Sequence, residues 1–313
     1  MSAPLRFRED GTFTIVQFTD MHWHNGEPED QRTRALIART LDAEEPDLVA
    51  LTGDVIAGGG CDDPAQSYLD AVAPIEERGV SWAATFGNHD DEGSVDREGL
   101  MAAQMSCAHC LSQPGPEEVS GVGNYALPVL SANDSRAGAV LYFIDTNSYA
   151  ETDVGGYGWV RRDQIAWWLD TAQKAHENAV DDAPALAFFH IPVPEYDEVW
   201  DLHPCHGVKY EAVCPPRINT GLFAAFHEFG DVVGTFVGHD HVNDYVGELH
   251  GIRLCYGRGS GFNTYGRDGF PRGARVIRLT EGQREFETWM RLEDDVKVEE
   301  QPLHEPCGRV LSA

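Results

Sequence analysis

Two patterns of hydrophobic residues alternate along this chain. Compact apolar runs rich in Val, Ile and Phe predict strands, and stretches whose apolar residues return every three or four positions predict amphipathic helices. TFTIVQFT (12–19) is the first strand. DQRTRALIARTLDAEE (30–45) follows as a helix with Asp30 at its N-cap and Leu36, Ile37, Thr40 and Leu41 on one face. DLVALTGD (47–54) is a second strand, and DDPAQSYLDAVAPIEERG (62–79) a second helix, capped by Asp63, begun by Pro64 and stopped by Gly79. VSWAATFGNHD (80–90), AVLYFID (139–145), the helix RDQIAWWLDTAQKAHENA (162–179), ALAFFH (185–190) and DVVGTFVGHDH (231–241) continue the alternation.

Beyond residue 241 the pattern changes. VNDYVGEL, GIRLCYG, ARVIRL and REFETWM are short, turn-separated runs that predict an antiparallel meander. Strands alternating with helices, then a β-rich end, predict an α/β fold with two sheets face to face and helices outside. No repeat or linker interrupts the pattern, so residues 1–292 are expected to form one domain and 293–313 a C-terminal tail.

Composition narrows the function. A formal net charge of −29 disfavours nucleic-acid backbone binding, because phosphates are neutralised by clustered Lys and Arg, and only three lysines face 52 acidic residues. Such an acidic balance fits a high-salt cytosol, where a Debye length of about 3 Å at 1 M screens self-repulsion. A melting temperature that fails to rise from dilute buffer to molar KCl would count against that reading. The N-terminus has no apolar leader, no run is long enough to span a bilayer, and the seven cysteines form no disulfide framework. A cytoplasmic, reducing location away from the membrane is therefore expected. Cys107, His109 and Cys110 in MSCAHC look like half a zinc knuckle, but no second CxxC follows, and a structural role is expected. The same holds for His203, Cys205 and His206 in DLHPCHG, expected to lie in an irregular loop.

Five predicted strands end in metal-capable side chains: Asp20 and His22, Asp54, Asn88 with His89, His190, and His239 with His241. In open α/β sheets ligands bind beyond the carboxyl ends of the strands, so these residues should share one crevice. Carboxylate, imidazole and amide oxygen without thiolate suit Fe, Mn, Zn or Co. The set exceeds what one ion needs, and Asp54 is the natural bridge between two ions about 3.5–4 Å apart. In QFTDMHWHNG, alternation in an extended segment leaves Asp20, His22 and His24 with equal claims.

The ordered set DMH, GD, GNHD, H and GHDH resembles the calcineurin-like metallophosphoesterases. The longer stretches WAATFGNHDDE, PGPEEVSGVGNY, GYGWV, FFHIPVPEY, GHDHVND and LCYGRGSGFNTYG are similar to the short, single-domain phosphatases related to purple acid phosphatases. This resemblance implies a four-layer α/β/β/α sandwich with two mixed sheets. It implies that Asp20, His22 and His241 hold one metal ion, Asn88, His190 and His239 the other, and Asp54 both. It gives His89 a catalytic role at the leaving oxygen and leaves His24 on the rim. Ala57 stands where the purple enzymes carry their tyrosine ligand, so a colourless protein is expected.

The activity implied is phosphoester hydrolysis, with a metal-activated hydroxide attacking phosphorus in line. A phosphomonoesterase acting on a phosphorylated small molecule or phosphoprotein is the first expectation. A phosphodiesterase is the alternative, and a non-catalytic metal-binding scaffold, which should have lost ligands, comes last. Asp240 and Asp244 are expected as carboxylate partners of the ligand histidines, Asp90 and Asp91 as solvated loop acids, and Arg258, Tyr196 and Tyr265 as substrate contacts.

Overall fold

A computed structural model describes residues 4–306. Its elements run β1 (Thr12–Phe18), α1 (Pro28–Glu44), β2 (Leu48–Thr52), α2 (Pro64–Glu76), β3 (Trp82–Thr85), α3 (Arg97–Met105), β4 (Tyr125–Leu130), β5 (Ala137–Phe143), α4 (Arg162–Glu177), β6 (Ala185–Phe188) and α5 (Glu195–Leu202). There follow β7 (Cys205–His206), α6 (Leu222–Phe229), β8 (Val232–Val237), β9 (Val246–Leu249), β10 (Ile252–Tyr256), β11 (Gly273–Thr280), β12 (Phe286–Leu292), β13 (Lys297–Val298) and β14 (Leu303–His304).

Two mixed sheets result, in the orders β13-β12-β11-β1-β2-β3 and β14-β7-β9-β10-β8-β6-β5-β4. Period-2 alternation assigns each strand face to a core. In β1, Phe13 and Ile15 pack between the sheets against residues such as Leu141, Phe188 and Phe236, while Val16 and Phe18 face Leu36 and Ile37 of α1 and Tyr68 of α2. The second sheet turns Tyr142, Ala187 and Tyr256 outward onto Trp168 of α4, Tyr196 of α5 and Phe226 of α6. Three apolar layers thus separate four structural layers, the α/β/β/α sandwich.

Buried polar ties join the sheets below the strand ends. Gln17 Nε2 donates to Thr52 Oγ1 at 2.8 Å and to Val237 O at 3.0 Å. Arg275 of β11, wholly buried, donates to the carbonyls of Tyr256 at 2.6 Å and Asp244 at 2.8 Å.

Several expectations need correcting. The first helix is capped by Glu27, and Asp30 sits at the third position in a capping box, where it accepts the N–H groups of Gly26 and Glu27. The meander is divided: β9 and β10 pair in one sheet, β11 and β12 in the other, where β11 lies against β1. The segment after residue 292 is no free tail as far as it is described, since β13 pairs with β12 and β14 with β7. Cys107 and Cys110 follow α3 instead of lying within a helix, and both pack against the core under α1 and α2. Cys205 and His206 form the short strand β7. Unforeseen elements have local causes: β4 contains Pro128, tolerated because β4 is an edge strand, and α6 is a short apolar helix between Gly221 and Gly230.

Candidate metal centre

The site begins where parallel strands stop. β1 ends at Phe18, β2 at Thr52, β3 at Thr85, β6 at Phe188 and β8 at Val237, and the metal-capable residues follow within a few positions. Asp20, His22, Asp54 and His239 have φ of 52°, 44°, 48° and 76°, left-handed conformations that cost non-glycine residues on the order of 1–3 kcal/mol each. Asp20 and His22 are therefore not neighbours on one face of a pleated strand. They are held by turns whose N–H groups bond to the β2 loop, at Gly53 O (3.1 Å) and Asp54 O (2.9 Å). His24 departs from them, with its Nδ1 3.4 Å from Glu27 Oε2.

The glycines of the motifs are explained by crowding. A Cβ on Gly53 would stand 2.6 Å from His190 Nδ1, and one on Gly87 would stand 2.1 Å from Asp54 Oδ1. Gly53 makes room for a residue that follows β6 of the facing sheet, and Gly87 for one that follows the adjacent strand β2.

Two groups of buried side chains form in the crevice. Asp20, His22, Asp54 and His241 make one, Asp54, His190 and His239 the other, and in each the possible ligand atoms lie within 4.8 Å of one another. Asp54 is common to both: its Oδ2 lies 3.6 Å from His22 Nε2 and 3.2 Å from His190 Nε2. His22 Nε2 and His241 Nε2 are 3.2 Å apart, and His190 Nε2 and His239 Nδ1 3.3 Å. Asp54 Oδ2 and Asn88 Oδ1 are buried with no hydrogen-bond partner. Orphaned oxygens among imidazole nitrogens are what a buried site for cations requires, since such groups are otherwise costly to bury. The nitrogen and oxygen donors fit two divalent or trivalent transition-metal ions, and among the described residues neither group includes a cysteine.

Electrostatics agree. Burial pushes His22 down to about 4, and burial with neighbouring His190 pushes His239 down to about 3. Burial, then His22, holds His241 well below its ordinary value. All three offer neutral nitrogen lone pairs at pH 7. Burial raises Asp20 to about 7, whereas Asp54, despite burial, is drawn well below the usual range by His190 and His22. His190, against the effect of burial, is carried up to about 9 by the Asp54 carboxylate.

Outer contacts orient the rings. His190 Nδ1 donates to Thr52 O at 2.7 Å, leaving Nε2 toward Asp54, and His241 Nδ1 meets Thr264 Oγ1 at 3.0 Å. The expected carboxylate partners are engaged elsewhere. Asp240 accepts from Tyr256 OH at 2.6 Å, and Asp244 pairs with Arg258. Asp90 is not a solvated loop acid: wholly buried, it accepts the N–H groups of Gly87 (2.7 Å), Asp54 (3.0 Å) and Ile56 (3.0 Å), locking the β2 and β3 loops together. Asp91 accepts from Arg97 Nε at 3.2 Å.

The rim is half-exposed. The His89 N–H donates to Asp54 Oδ1 at 2.8 Å, its ring centre lies 5.1 Å from that of His22, and its Nδ1 is 2.7 Å from Glu92 Oε2. Burial opposes its charge, but Asp54 and Glu92 raise its pKa. Tyr265 stacks on His241 at 4.1 Å, so of the three expected substrate contacts it alone touches a ligand residue. Tyr196 lies in the core with its hydroxyl on Thr235 and Cys255, and has no surface to offer. Arg258 is buried against Phe270 and committed to Asp244 and to Pro271 O at 2.8 Å, so its cation is already neutralised. Sequence reasoning missed Glu92, Tyr149, Tyr157 and Glu211. Glu92 lies in the quoted run GNHDDE, three residues after His89, and that spacing was its signal.

Comparison with known proteins follows the same lines. A family model described as calcineurin-like phosphoesterase matches residues 13–243. An Arabidopsis thaliana protein named "Probable inactive purple acid phosphatase 28" is 38% identical, covering 99% of this chain and 88% of that protein. "Phosphatase DCR2" of Saccharomyces cerevisiae is 32% identical over 94% of this chain and 56% of its own length. Among solved structures, a dimetal phosphatase from Danio rerio superposes with a TM-score of 0.61 at 14% identity, covering 93% of this chain and 98% of that one, a likeness of fold.

Proposed function

The chain belongs to the calcineurin-like phosphoesterase family, and from that premise we propose that it is a dinuclear-metal-dependent phosphomonoesterase. The observation that carries this reading is the complete donor set around Asp54, with Asp54 Oδ2 and Asn88 Oδ1 both buried and without a hydrogen-bond partner. Asp20, His22 and His241 would hold one ion, Asn88, His190 and His239 the other, and Asp54 both; Fe, Mn and Zn are the candidates. Bound there, the pair supplies a lowered pKa for water, from about 15.7 toward roughly 7, and positive charge for phosphate oxygens. That charge answers the acidity of the chain, which would otherwise repel a phosphoester.

The protein's own residues do the rest. His22, His239 and His241 stay neutral and present lone pairs, and Asp90 fixes the loop that carries Asp54. Glu92 holds His89 Nδ1, so Nε2 is the nitrogen left to give a proton to the leaving oxygen. Ala57, where the purple enzymes have tyrosine, supports a colourless protein. A phosphorylated small molecule or phosphoprotein is the proposed substrate, with no role at nucleic-acid backbones or membranes; among the described residues no helix is long and apolar enough to cross a membrane.

A second reading draws on the word "inactive" in the name of the plant relative: a metal-binding scaffold without turnover. Loading the protein with Mn, Zn, Fe or Co and measuring hydrolysis of mono- and bis-nitrophenyl phosphate separates the readings. Monoester hydrolysis is expected. Faster diester hydrolysis would make it a phosphodiesterase, and activity on neither ester, with both sites filled, would leave the scaffold.

A further inference from the structure

Two tyrosines beside the centre keep much of their surface in water: Tyr149 is 50% and Tyr265 54% exposed. Neither is free to swing. Tyr149 OH donates to Glu92 Oε1 at 2.7 Å and accepts from Asn88 Nδ2 at 3.0 Å. Tyr265 OH donates to Glu211 Oε2 at 2.8 Å, and its ring lies nearly parallel to that of His241, at 14°. Tyr157 stands edge-on to His239 at 4.2 Å and stacks on Tyr149 at 5.9 Å. Three ligand residues, Asn88, His239 and His241, are thus each met by a tyrosine.

A phenol tethered by its oxygen, with ring surface left in water, has already lost its conformational freedom and forgoes the gain from burial. It is prepaid contact surface for a planar ligand. The tethers themselves are carboxylates. Among the described residues no lysine or arginine ion-pairs with Asp20, Asp54, Glu92 or Glu211; the ion pairs of the first three are with histidines. Arg272, buried beneath the rim, commits Nη2 to the carbonyls of Thr264 (2.9 Å) and Tyr265 (2.7 Å) and leaves Nη1 buried without a hydrogen-bond partner. A mouth of tyrosine and glutamate offers ring faces and repels a second anionic group.

Resting on the phosphomonoesterase reading, we propose that this mouth selects phosphorylated phenols, free or as phosphotyrosine, on carriers without further negative charge. The phosphate would lie at the centre and the leaving ring against Tyr149 and Tyr265. Hydrolysis consumes one water: a P–O bond forms from it, the aryl O–P bond breaks, and a proton passes to the phenol oxygen.

Binding tests this apart from turnover. With the full chain loaded with Mn, phenylphosphonate and methylphosphonate are titrated calorimetrically. Phenylphosphonate should bind roughly 3- to 10-fold tighter, the range aromatic stacking supports. Tyr149→Leu and Tyr265→Leu should each erode that ratio, and Tyr149→Phe, which keeps the ring and loses its tether, should erode it less than Tyr149→Leu does. In turnover, phosphotyrosine peptides with arginine flanks should exceed those with glutamate flanks in kcat/KM, and phenyl phosphate shows whether the ring alone suffices. Equal affinity for the two phosphonates, binding of neither, or a ratio untouched by both leucine variants would overturn the proposal. Preferred binding of phenylphosphonate without hydrolysis of any ester would sink the enzymatic reading and leave the aromatic preference standing.

Discussion

The floor and the rim of the centre are built by different means. On the floor, Asp20, His22, Asp54, His190, His239 and His241 are buried, and most are fixed by backbone: four have left-handed φ, and Asp90 ties the loops together through three N–H groups. On the rim, His89, Glu92, Tyr149, Tyr265 and Glu211 are half-exposed and held by side chains meeting across long stretches of chain, such as Tyr149 with Glu92 and Tyr265 with Glu211. A floor set by backbone can place charges that water would otherwise scatter. A rim set by side chains bears on that floor through Tyr149 at Asn88 and Tyr265 at His241, so under the proposed function substrate choice should respond to rim substitutions more strongly than metal binding does.

The sharpest way to break this division is at Asp54, the residue shared by both groups. Loss of an outer partner typically costs 10–100-fold in metal affinity, and Asp54→Ala should cost more than about 100-fold, with metal content falling below one ion per chain by elemental analysis. His89→Ala reaches the rim: turnover should drop about 10²–10⁴-fold with metal content unchanged, and retained turnover would remove His89 from the reaction. Asp90→Ala strips three buried N–H groups of their acceptor, and chemical denaturation should show a loss of about 3 kcal/mol or more. An unaltered midpoint would mean the loops are held by something else. The smallest effect is expected at His24: His22→Ala should empty a site, while His24→Ala keeps both filled and shifts stability by less than about 0.5 kcal/mol.

The same division decides what could be read from the sequence. Floor residues follow apolar strands directly, and five such strands ending in ligand-type residues make a linear pattern. Two facing sheets with helices outside are legible for a like reason, because compact apolar runs and amphipathic helices alternate in order, while the four-layer form rests on the family resemblance. Tyr149 and Glu211 sit in loops with no periodicity, and their partners are 57 and 54 residues away in sequence. Arg258 was the natural choice for phosphate binding because it was the only cation in its motif, but Asp244 had already claimed it. Tyr196 is expected as a substrate contact, yet it lies on α5 and anchors the core under that helix. Asp90 and Asp91 are adjacent and chemically identical, and only the turn after β3 makes one a buried acceptor and the other a partner for Arg97.

The pairing of β1 with β11 bears on how the molecule is made. β2 can join β1 early, but the opposite edge of β1 waits for Gly273–Thr280, roughly 250 residues later. At ribosomal speeds of about 5–20 residues per second, that edge stays open for on the order of 10–50 s. Throughout that interval an apolar strand leading into Asp20 is unprotected, and pairing over such separations is intrinsically slow. The newborn chain therefore passes through a window in which capture by a chaperone, or by another strand, competes with completion of the sheet that shapes the metal centre.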